Sequence, residues 1–330
     1  SSDLVKNRSE WLCEALSLSY SRFPHHSTYR RIMETHEDEL DRVTAAFLAQ
    51  LAEKKPCQII VIDGKTLRGT ITADDPFGVQ LLTAFLPEVG IALKHLPVEK
   101  EKENEIVIAP QLLADLDLQG KIVLGDAMQT HRALSRQVVD TQGHFIWIVK
   151  DNQRLTRQAI ERLFAPEKPK PGQGCPPMDF QTAKSFDAKH GRAENRTITV
   201  SRMLNDYIAW PYVQQVFKLE RHFVHSLTGK VHQETQYGIT SLKIDEANPE
   251  KMLALVRSEW SIENQLHFRR DVTFHEDRTR MTRKPMARSM AVINNLIIAL
   301  LTKQGSTNHA QARRLLCAKP ALALDLVCQL

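Results

Sequence analysis

Three short apolar runs are the feature that most restricts how this sequence can fold. They cover residues 57–63, 121–127 and 144–150, contain several β-branched residues and are bounded by turn residues. Runs of this length and composition are typical of buried strands. Because helical patterns separate the runs, the sequence predicts a mixed sheet flanked by helices.

Further elements are predicted before and between these runs. The patterns at 78–87 and 90–99 indicate two strands that form an antiparallel set with the first run. Residues 27–53 have apolar side chains at three- and four-residue spacing, which is typical of a helix. Ser27 or Thr28 can cap that helix.

The composition changes along the chain, and this predicts its organisation. Residues 165–178 are rich in Pro and Gly, which indicates a loop or a boundary. A mostly β segment follows, and from residue 248 the pattern is helical again. We expect four parts: a helical N-terminal segment (1–55), the first part of a core (56–164), a β-rich insertion (165–247) and a helical part that completes the core (248–330).

Charge and cysteine usage restrict the classes of partner and compartment. The 330 residues carry a formal net charge of +5, a mild excess that is compatible with a polyanionic partner but does not identify one. Five cysteines without a CxxC pair argue against a disulfide framework and a structural zinc site, and a reducing cytoplasm fits best. No run approaches the roughly 18 apolar residues of a membrane span.

Two acidic residues lie at the carboxyl ends of predicted strands, Asp63 and Asp126. Ligands of open α/β sheets collect at this edge, and two neighbouring carboxylates attract a hard divalent cation. Glu263, interleaved with apolar residues of a predicted helix, is the best third carboxylate. An Asp–Gly pair is most often a plain turn and a helical Glu usually faces solvent, so the spacing alone leaves both explanations open.

These acids lie within longer motifs that occur in order along nearly the whole chain. The motifs are VIDGKTLRG (61–69), IVLGDAMQTHRAL (122–134), WIVKDNQ (147–153) and VRSEWSIENQLHFRRDVTFHEDRTR (256–280). In these stretches the chain resembles bacterial insertion-sequence transposases of the ISAs type, the group that includes the H-repeat-associated proteins.

The resemblance implies a fold and a chemistry. It implies an RNase H-like catalytic core, a mixed sheet flanked by helices, with a β-rich insertion between the second and third acids. Asp63, Asp126 and Glu263 would be the catalytic acids and would hold two Mg²⁺ ions, for which Mn²⁺ can substitute. The implied enzyme is a metal-dependent DDE-type transposase that cleaves and joins DNA strands at insertion-sequence ends.

The resemblance also implies partners and a location. Its substrates would be double-stranded DNA, both element ends and target, bound by a homodimer in a synaptic complex. No membrane is involved, and the protein would be cytoplasmic and associated with the nucleoid when bound to DNA.

Basic and amide side chains near the acids are candidate DNA contacts. We predict this role for Lys65, Arg68, Lys150, Asn152, Asn264, Arg269, Arg270, Arg278, Arg280 and Arg283. A cluster of this kind would make DNA binding sensitive to salt. For any one of these residues, a solvated helix face is the alternative.

The chain departs from the family pattern at three positions. Asp151 stands where the family commonly has Gly, Glu259 where it often has His, and Arg270 where it usually has Leu. These departures keep two alternatives open. One is a domesticated or inactive transposase-derived DNA-binding protein, and the other is a general RNase H-like nuclease without preference for element ends.

Overall fold

The computed structural model describes residues 8–19, 23–53, 58–98, 105–165, 178–189, 192–225 and 229–328. Within these residues the strands form one nine-stranded sheet. In chain order they are β1 (Ile59–Leu67), β2 (Val79–Leu86), β3 (Ile91–Val98), β4 (Ile122–Gly125), β5 (His144–Val149), β6 (Gln181–Lys189), β7 (Arg192–Ser201), β8 (Gln215–His225) and β9 (Val231–Thr240).

The strand order is β3-β2-β1-β4-β5-β9-β8-β7-β6. The first three strands are antiparallel neighbours, and β4 and β5 run parallel to β1. This arrangement confirms the predicted RNase H-like mixed sheet. The strands of the predicted insertion continue the same sheet, because β9 pairs antiparallel with β5.

The strands form where the sequence predicts them because both faces of the sheet are covered. Side chains alternate across a strand. Ile60 and Ile62 pack into one apolar cluster and Val61 into another on the opposite face. All three are at most 1% exposed, which explains the continuous apolar run at this position.

The helices cover the sheet and extend beyond it. They are α1 (Ser9–Ala15), α2 (His26–Thr35), α3 (Glu37–Glu53), α4 (Glu105–Ala114), α5 (Arg132–Asp140), α6 (Arg154–Leu163), α7 (Pro249–Glu259), α8 (Lys284–Lys303), α9 (His309–Ala318) and α10 (Pro320–Cys328).

Several predicted elements differ from the structure. The single helix predicted over 27–53 is wrong, because His36 leaves the helical conformation and separates α2 from α3. The cap of α2 is His25, whose side chain accepts from the Ser27 amide, and not Ser27 or Thr28. Strand β6 was not predicted, because Ala183 is the one buried apolar side chain in its described part.

Among the residues that the structure describes, one helix is long and apolar enough to cross a bilayer, by length and composition alone. It is α8, and 56% of its apolar window is buried inside the protein. Burial of this extent is what a core helix shows. The loop predicted over 165–178 falls mostly on residues 166–177, outside the residues that the structure describes.

The chain after α7 is helical but wider than an α-helix. Asn248 caps α7 by accepting from the Lys251 amide. Beyond Glu259, two π-helical turns follow, over Glu263–His267 and Arg269–Thr273. Such turns are rare and occur often at functional sites. We call residues 261–273 the π segment, and it carries the third predicted acid.

Candidate metal centre

Two carboxylates lie side by side because β1 and β4 are parallel neighbours. Ile62 is opposite Gly125 in the register of the two strands, so the next residues, Asp63 and Asp126, are adjacent. Neighbouring strands are about 4.8 Å apart. Burial raises the pKa of the Asp126 carboxyl, and the nearby charge of Asp63 adds to this effect.

Hydrogen bonds fix the turn that carries Asp126. Its Oδ1 accepts from the Met128 amide at 2.8 Å. The Asn152 amide donates to the carbonyl oxygen of Ala127 at 2.5 Å, and the Gln153 amide donates to that of Thr130 at 3.0 Å. The turn after β5 therefore holds the turn after β4 in place.

The π segment brings two more side chains to Asp63. Ligand atoms of Asp63, Glu263 and His267 all lie within 4.8 Å of one another. His267 Nε2 is 3.1 Å from Asp63 Oδ2, and the imidazole is buried while Glu263 is exposed. The strand and the segment are about 200 residues apart in sequence, so the fold creates this contact.

A second polar contact joins β1 to the π segment, two residues after Asp63. Lys65 lies on the same face of β1 as Asp63, because side chains alternate along a strand. Its Nζ is 2.7 Å from both carboxylate oxygens of Asp271 and 3.7 Å from Asp277 Oδ1. The pairs Asp63–His267 and Lys65–Asp271 dock the π segment on β1 and so position Glu263.

Two further carboxylates surround the pair of aspartates, Glu105 and Glu259. Burial, together with the charges of Asp126 and Asp63, raises the pKa of Glu105 to about 7. Burial and the same two charges raise the pKa of Glu259 to about 7, while Lys150 opposes the shift. The site therefore gathers five acidic side chains.

Glu105 is held by amides and needs a glycine beside it. Gln80 Nε2 donates to one of its oxygens and Gln129 Nε2 to the other, the latter at 3.0 Å. A Cβ at Gly64 would lie 2.1–2.9 Å from atoms of the Glu105 carboxyl group. The glycine that follows Asp63 therefore leaves room for the Glu105 carboxylate. This role goes beyond the plain Asp–Gly turn that the sequence alone suggests.

A cavity of about 550 Å³ adjoins the carboxylates on the side of the insertion strands. Glu259, Trp260 and Asn264 line one wall. The opposite wall includes Arg196 and Arg221, and the Arg221 guanidinium lies 5.0 Å from the centre of the Trp260 ring. Of the five acidic side chains, Glu259 is the one that lines this cavity, together with residues of the insertion strands.

Two predicted DNA contacts are buried, and their placement argues against that prediction. The Lys65 side chain is 8% exposed and engaged by Asp271 and Asp277. Arg270 is fully buried, with Nε 2.8 Å from Glu276 Oε2. Sequence spacing places both near the acids but does not reveal their acidic partners.

Three other predicted contacts have partners within the protein. Arg269 is partly buried and donates to Thr302 Oγ1 at 3.2 Å. Asn152 uses its amide to hold the turn after β4. Asn264 donates to the Trp260 carbonyl oxygen at 3.0 Å and lines the cavity.

The remaining predicted basic residues are exposed. They are Arg68, Lys150, Arg278, Arg280 and Arg283. Arg68 lies 3.9 Å from Asp277, and Arg283 pairs with Glu34 at 2.9 Å. Among the described residues, Arg278 and Arg280 have no acidic partner within 4.0 Å. We call Arg68, Arg278 and Arg280 the basic junction, because the turns that carry the first two contact each other.

The donor set fits a hard divalent cation. Carboxylate oxygens are the ligands that Mg²⁺ and Mn²⁺ prefer. Several carboxylates at short range repel one another unless a cation lies between them or some are protonated. Asp63, Asp126 and Glu263 remain the predicted ligands of such an ion, and Glu105 and Glu259 lie close enough to Asp63 and Asp126 to contribute charge.

Three functional candidates escaped the sequence analysis. Glu105 follows a run of charged residues at the start of a helix, a pattern typical of a solvated helix start. His267 follows Glu263 by four residues, one helical turn, and that spacing was the available signal. Glu259 was noted only as a departure from the family, and no sequence pattern indicates its proximity to Asp63 and Asp126.

Comparison with known proteins gives a consistent assignment. The family described as "Transposase DDE domain" matches residues 54–301. A protein of Escherichia coli K12, YbfL, is 28% identical over 251 residues, which cover 74% of this chain and 64% of that protein. The "H repeat-associated putative transposase YhhI" of the same strain is 27% identical over the same shares.

A longer alignment and a solved structure complete the comparison. The "Putative transposase YncI" of Escherichia coli O157:H7 is 24% identical over 91% of this chain and 76% of that protein. The cryo-EM structure of a piggyBac transposase synaptic complex with hairpin DNA has a TM-score of 0.43 and 11% identity, over 76% of this chain and 48% of that one. The chain thus spans about 64% of the first two relatives.

The buried Arg270–Glu276 pair predicts an asymmetric effect on stability. Arg270→Leu should lower the free energy of unfolding by about 3 kcal/mol, because Glu276 stays buried beside Asn294 without its cation. The double variant Arg270→Leu/Glu276→Gln should regain most of that loss. Urea unfolding of the three proteins measures both effects, and equal stability of the single and double variants would contradict the prediction.

The raised pKa of Glu105 predicts a pH dependence of the metal-free protein. A carboxyl whose folded pKa is about 7 binds a proton more tightly in the folded state, so stability falls as pH rises from about 4.5 to 7. Glu105→Gln should reduce this fall by on the order of 1 kcal/mol, allowing for partial exposure. Urea unfolding in EDTA at pH 5 and 8 tests this, with the exposed Glu250→Gln as control. An unchanged fall in Glu105→Gln would contradict it.

Proposed function

Because the chain belongs to the transposase DDE domain family, we propose that it cleaves and joins DNA strands at insertion-sequence ends. Asp63, Asp126 and Glu263 act as its catalytic acids. The observation that carries this proposal is the convergence of Asp63 with Glu263 within 4.8 Å, next to Asp126 on the neighbouring strand. Three remote segments of the sequence meet there.

The protein's part in the reaction is to hold and orient charged groups. When bound, two divalent ions would activate a water or a 3′-hydroxyl and stabilise the leaving oxygen of a phosphodiester. Asp63 is close to both Asp126 and Glu263, so its carboxylate could contribute to holding either ion. Asp126 is oriented by the Met128 amide, and Glu263 by the docking of the π segment on β1. No covalent bond between protein and DNA is required.

The DNA would follow the exposed side of the site towards the basic junction. Asp63 and Arg68 are five residues apart on or next to β1, which corresponds to about 16 Å of extended chain. That distance spans a few phosphates of one strand, so Arg68, Arg278 and Arg280 can bind the backbone beside the scissile position. Lys150 lies close to Asp126 and Glu259 and can bind a phosphate nearer the centre.

The assembly and the location belong to the same proposal. Joining two element ends to a target requires both ends in one complex, and a homodimer provides one metal centre for each end. We place the protein in the cytoplasm, associated with the nucleoid through DNA.

A second candidate function is DNA binding without strand transfer. Glu259 favours it, because it adds a negative charge beside Asp126 and Asp63 where the resembling family often has His. Such a charge opposes the approach of a phosphate unless a cation compensates for it. Under this alternative the chain is a transposase-derived protein that binds DNA and no longer cleaves it.

Replacing the acids separates these two functions. Asp63→Asn, Asp126→Asn and Glu263→Gln should each lower the cleavage rate of oligonucleotide ends in Mg²⁺ or Mn²⁺ by about 10²–10³-fold or more, since each removes a negative ligand from a several-kcal/mol stabilisation. The matched control is Asp151→Asn, an exposed acid after β5 that lies beside Arg157. Wild-type binding without cleavage in either ion supports the second function, and equal cutting of scrambled ends supports a general nuclease.

The basic junction predicts the salt dependence of DNA binding. Arg278→Ala/Arg280→Ala should weaken binding of all sequences similarly. The slope of log affinity against log salt should become shallower by about 1.8, because about 0.9 is lost for each phosphate contact. Fluorescence anisotropy over a salt series measures the slope, with the exposed pair Arg136→Ala/Arg162→Ala on α5 and α6 as charge-matched control. An unchanged slope in Arg278→Ala/Arg280→Ala would show that these two arginines do not contact DNA phosphates.

A further inference from the structure

We propose that His267 is a metal ligand together with Asp63 and Glu263, and that this position binds Mn²⁺ in preference to Mg²⁺. The inference rests on the proposed function, because it concerns one of the ions of the same centre. It adds a nitrogen ligand to a site whose expected ligands are all carboxylates.

The spacing of the three side chains suits a single ion. Their ligand atoms lie within 4.8 Å of one another, and His267 Nε2 is 3.1 Å from Asp63 Oδ2. An octahedral ion with bonds of about 2.1–2.2 Å separates adjacent ligands by about 3.0–3.1 Å and opposite ligands by about 4.3 Å. The 3.1 Å separation equals that of adjacent ligands, and the 4.8 Å limit on the other separations exceeds that of opposite ligands by about 0.5 Å, so one ion fits after side-chain shifts of at most about that size.

The charges at this position require compensation. Among the described residues, neither Asp63 nor Glu263 has a Lys or Arg within 4.0 Å, since Lys65 beside them is engaged by Asp271 and Asp277. Two carboxylates at this separation repel each other, and a neutral imidazole does not reduce the charge. A divalent cation bound by all three groups gives a position with no net charge.

The His267 imidazole can be neutral, protonated or bound to a metal ion, and its surroundings differ in how well they suit each state. His267 is 3% exposed, and its Nδ1 has no hydrogen-bond partner among the described residues. A neutral ring with its proton on Nε2 can donate to Asp63 but leaves the acids uncompensated. A protonated ring compensates for one charge and buries an unpaired Nδ1–H. Metal binding through Nε2 buries the same unpaired N–H and compensates for both charges.

The nitrogen ligand determines which ions the position favours. Mg²⁺ is a hard ion that takes oxygen ligands and retains water, whereas imidazole suits transition metals. The three groups project from β1 and a packed helical segment, so the donor set is largely preformed. We therefore expect the position to discriminate for Mn²⁺ through His267.

The decisive measurement detects the nitrogen itself. Full-length protein is loaded with Mn²⁺, and pulsed electron paramagnetic resonance records the coupling of the ion to nearby nitrogen. Protein grown with [¹⁵N]histidine should show a ¹⁵N coupling in place of the ¹⁴N coupling of unlabelled protein. The labelled wild type requires no substitution, so the result does not depend on whether a variant folds.

A variant then assigns the nitrogen to one residue. His267→Gln should lose the coupling and bind Mn²⁺ at least about tenfold more weakly, with a smaller change for Mg²⁺. His95→Gln is the matched control, because His95 is also buried, at 7% exposure, and is not among the residues grouped with Asp63 and Glu263. It should keep both the coupling and the affinity.

The outcomes separate this inference from the proposed function. Bound Mn²⁺ without a histidine coupling, or a coupling that persists in His267→Gln, overturns the inference. If Asp63→Asn still abolishes DNA cleavage in that case, the proposed function stands. A histidine coupling in a protein that cleaves no DNA supports the metal position and overturns the proposed enzyme.

Discussion

The repulsion between carboxylates that the sheet places side by side is the constraint that the rest of the structure must satisfy. Parallel pairing of β1 with β4 makes Asp63 and Asp126 neighbours, and any fold that keeps this pairing must compensate for their charges. The third acid, Glu263, adds to the repulsion. Their mutual repulsion would separate these groups, so other contacts must hold them together.

Two polar contacts between β1 and the π segment provide that restraint. Asp63–His267 and Lys65–Asp271 lie on one face of the strand, and apolar contacts of Ile262 and Leu266 lie beside them. A π-helical turn changes the direction of the side chains that follow it relative to an α-helix. The widened helix is thus part of how Glu263 and His267 reach the same aspartate, and the basic residue Lys65 serves this docking.

The strands and two of the acids could be predicted because their signals are local. A β-branched run shows its burial in sequence, and an Asp at its end lies at the edge where ligands collect. The roles of Lys65 and Arg270 could not be predicted in this way. Lys65 pairs with Asp271, which lies 206 residues later in the sequence. The sequence near a motif does not indicate whether a basic side chain is already paired with an acid elsewhere in the fold. Glu105 and His267 were missed for the same reason, since tertiary contacts define their environment.

The continuous sheet connects the insertion to the metal centre. Because β9 pairs with β5, strands β8 and β7 continue the core sheet, and Arg221 of β8 lies against Trp260, next to Glu259. Arg221 and Lys150 both oppose the rise in the pKa of Glu259, so one of the two cations comes from the insertion. The insertion therefore contributes to the charge balance of the site. Glu259, which stands where the resembling family often has His, therefore lies at the junction of core and insertion, beside a cation from the insertion.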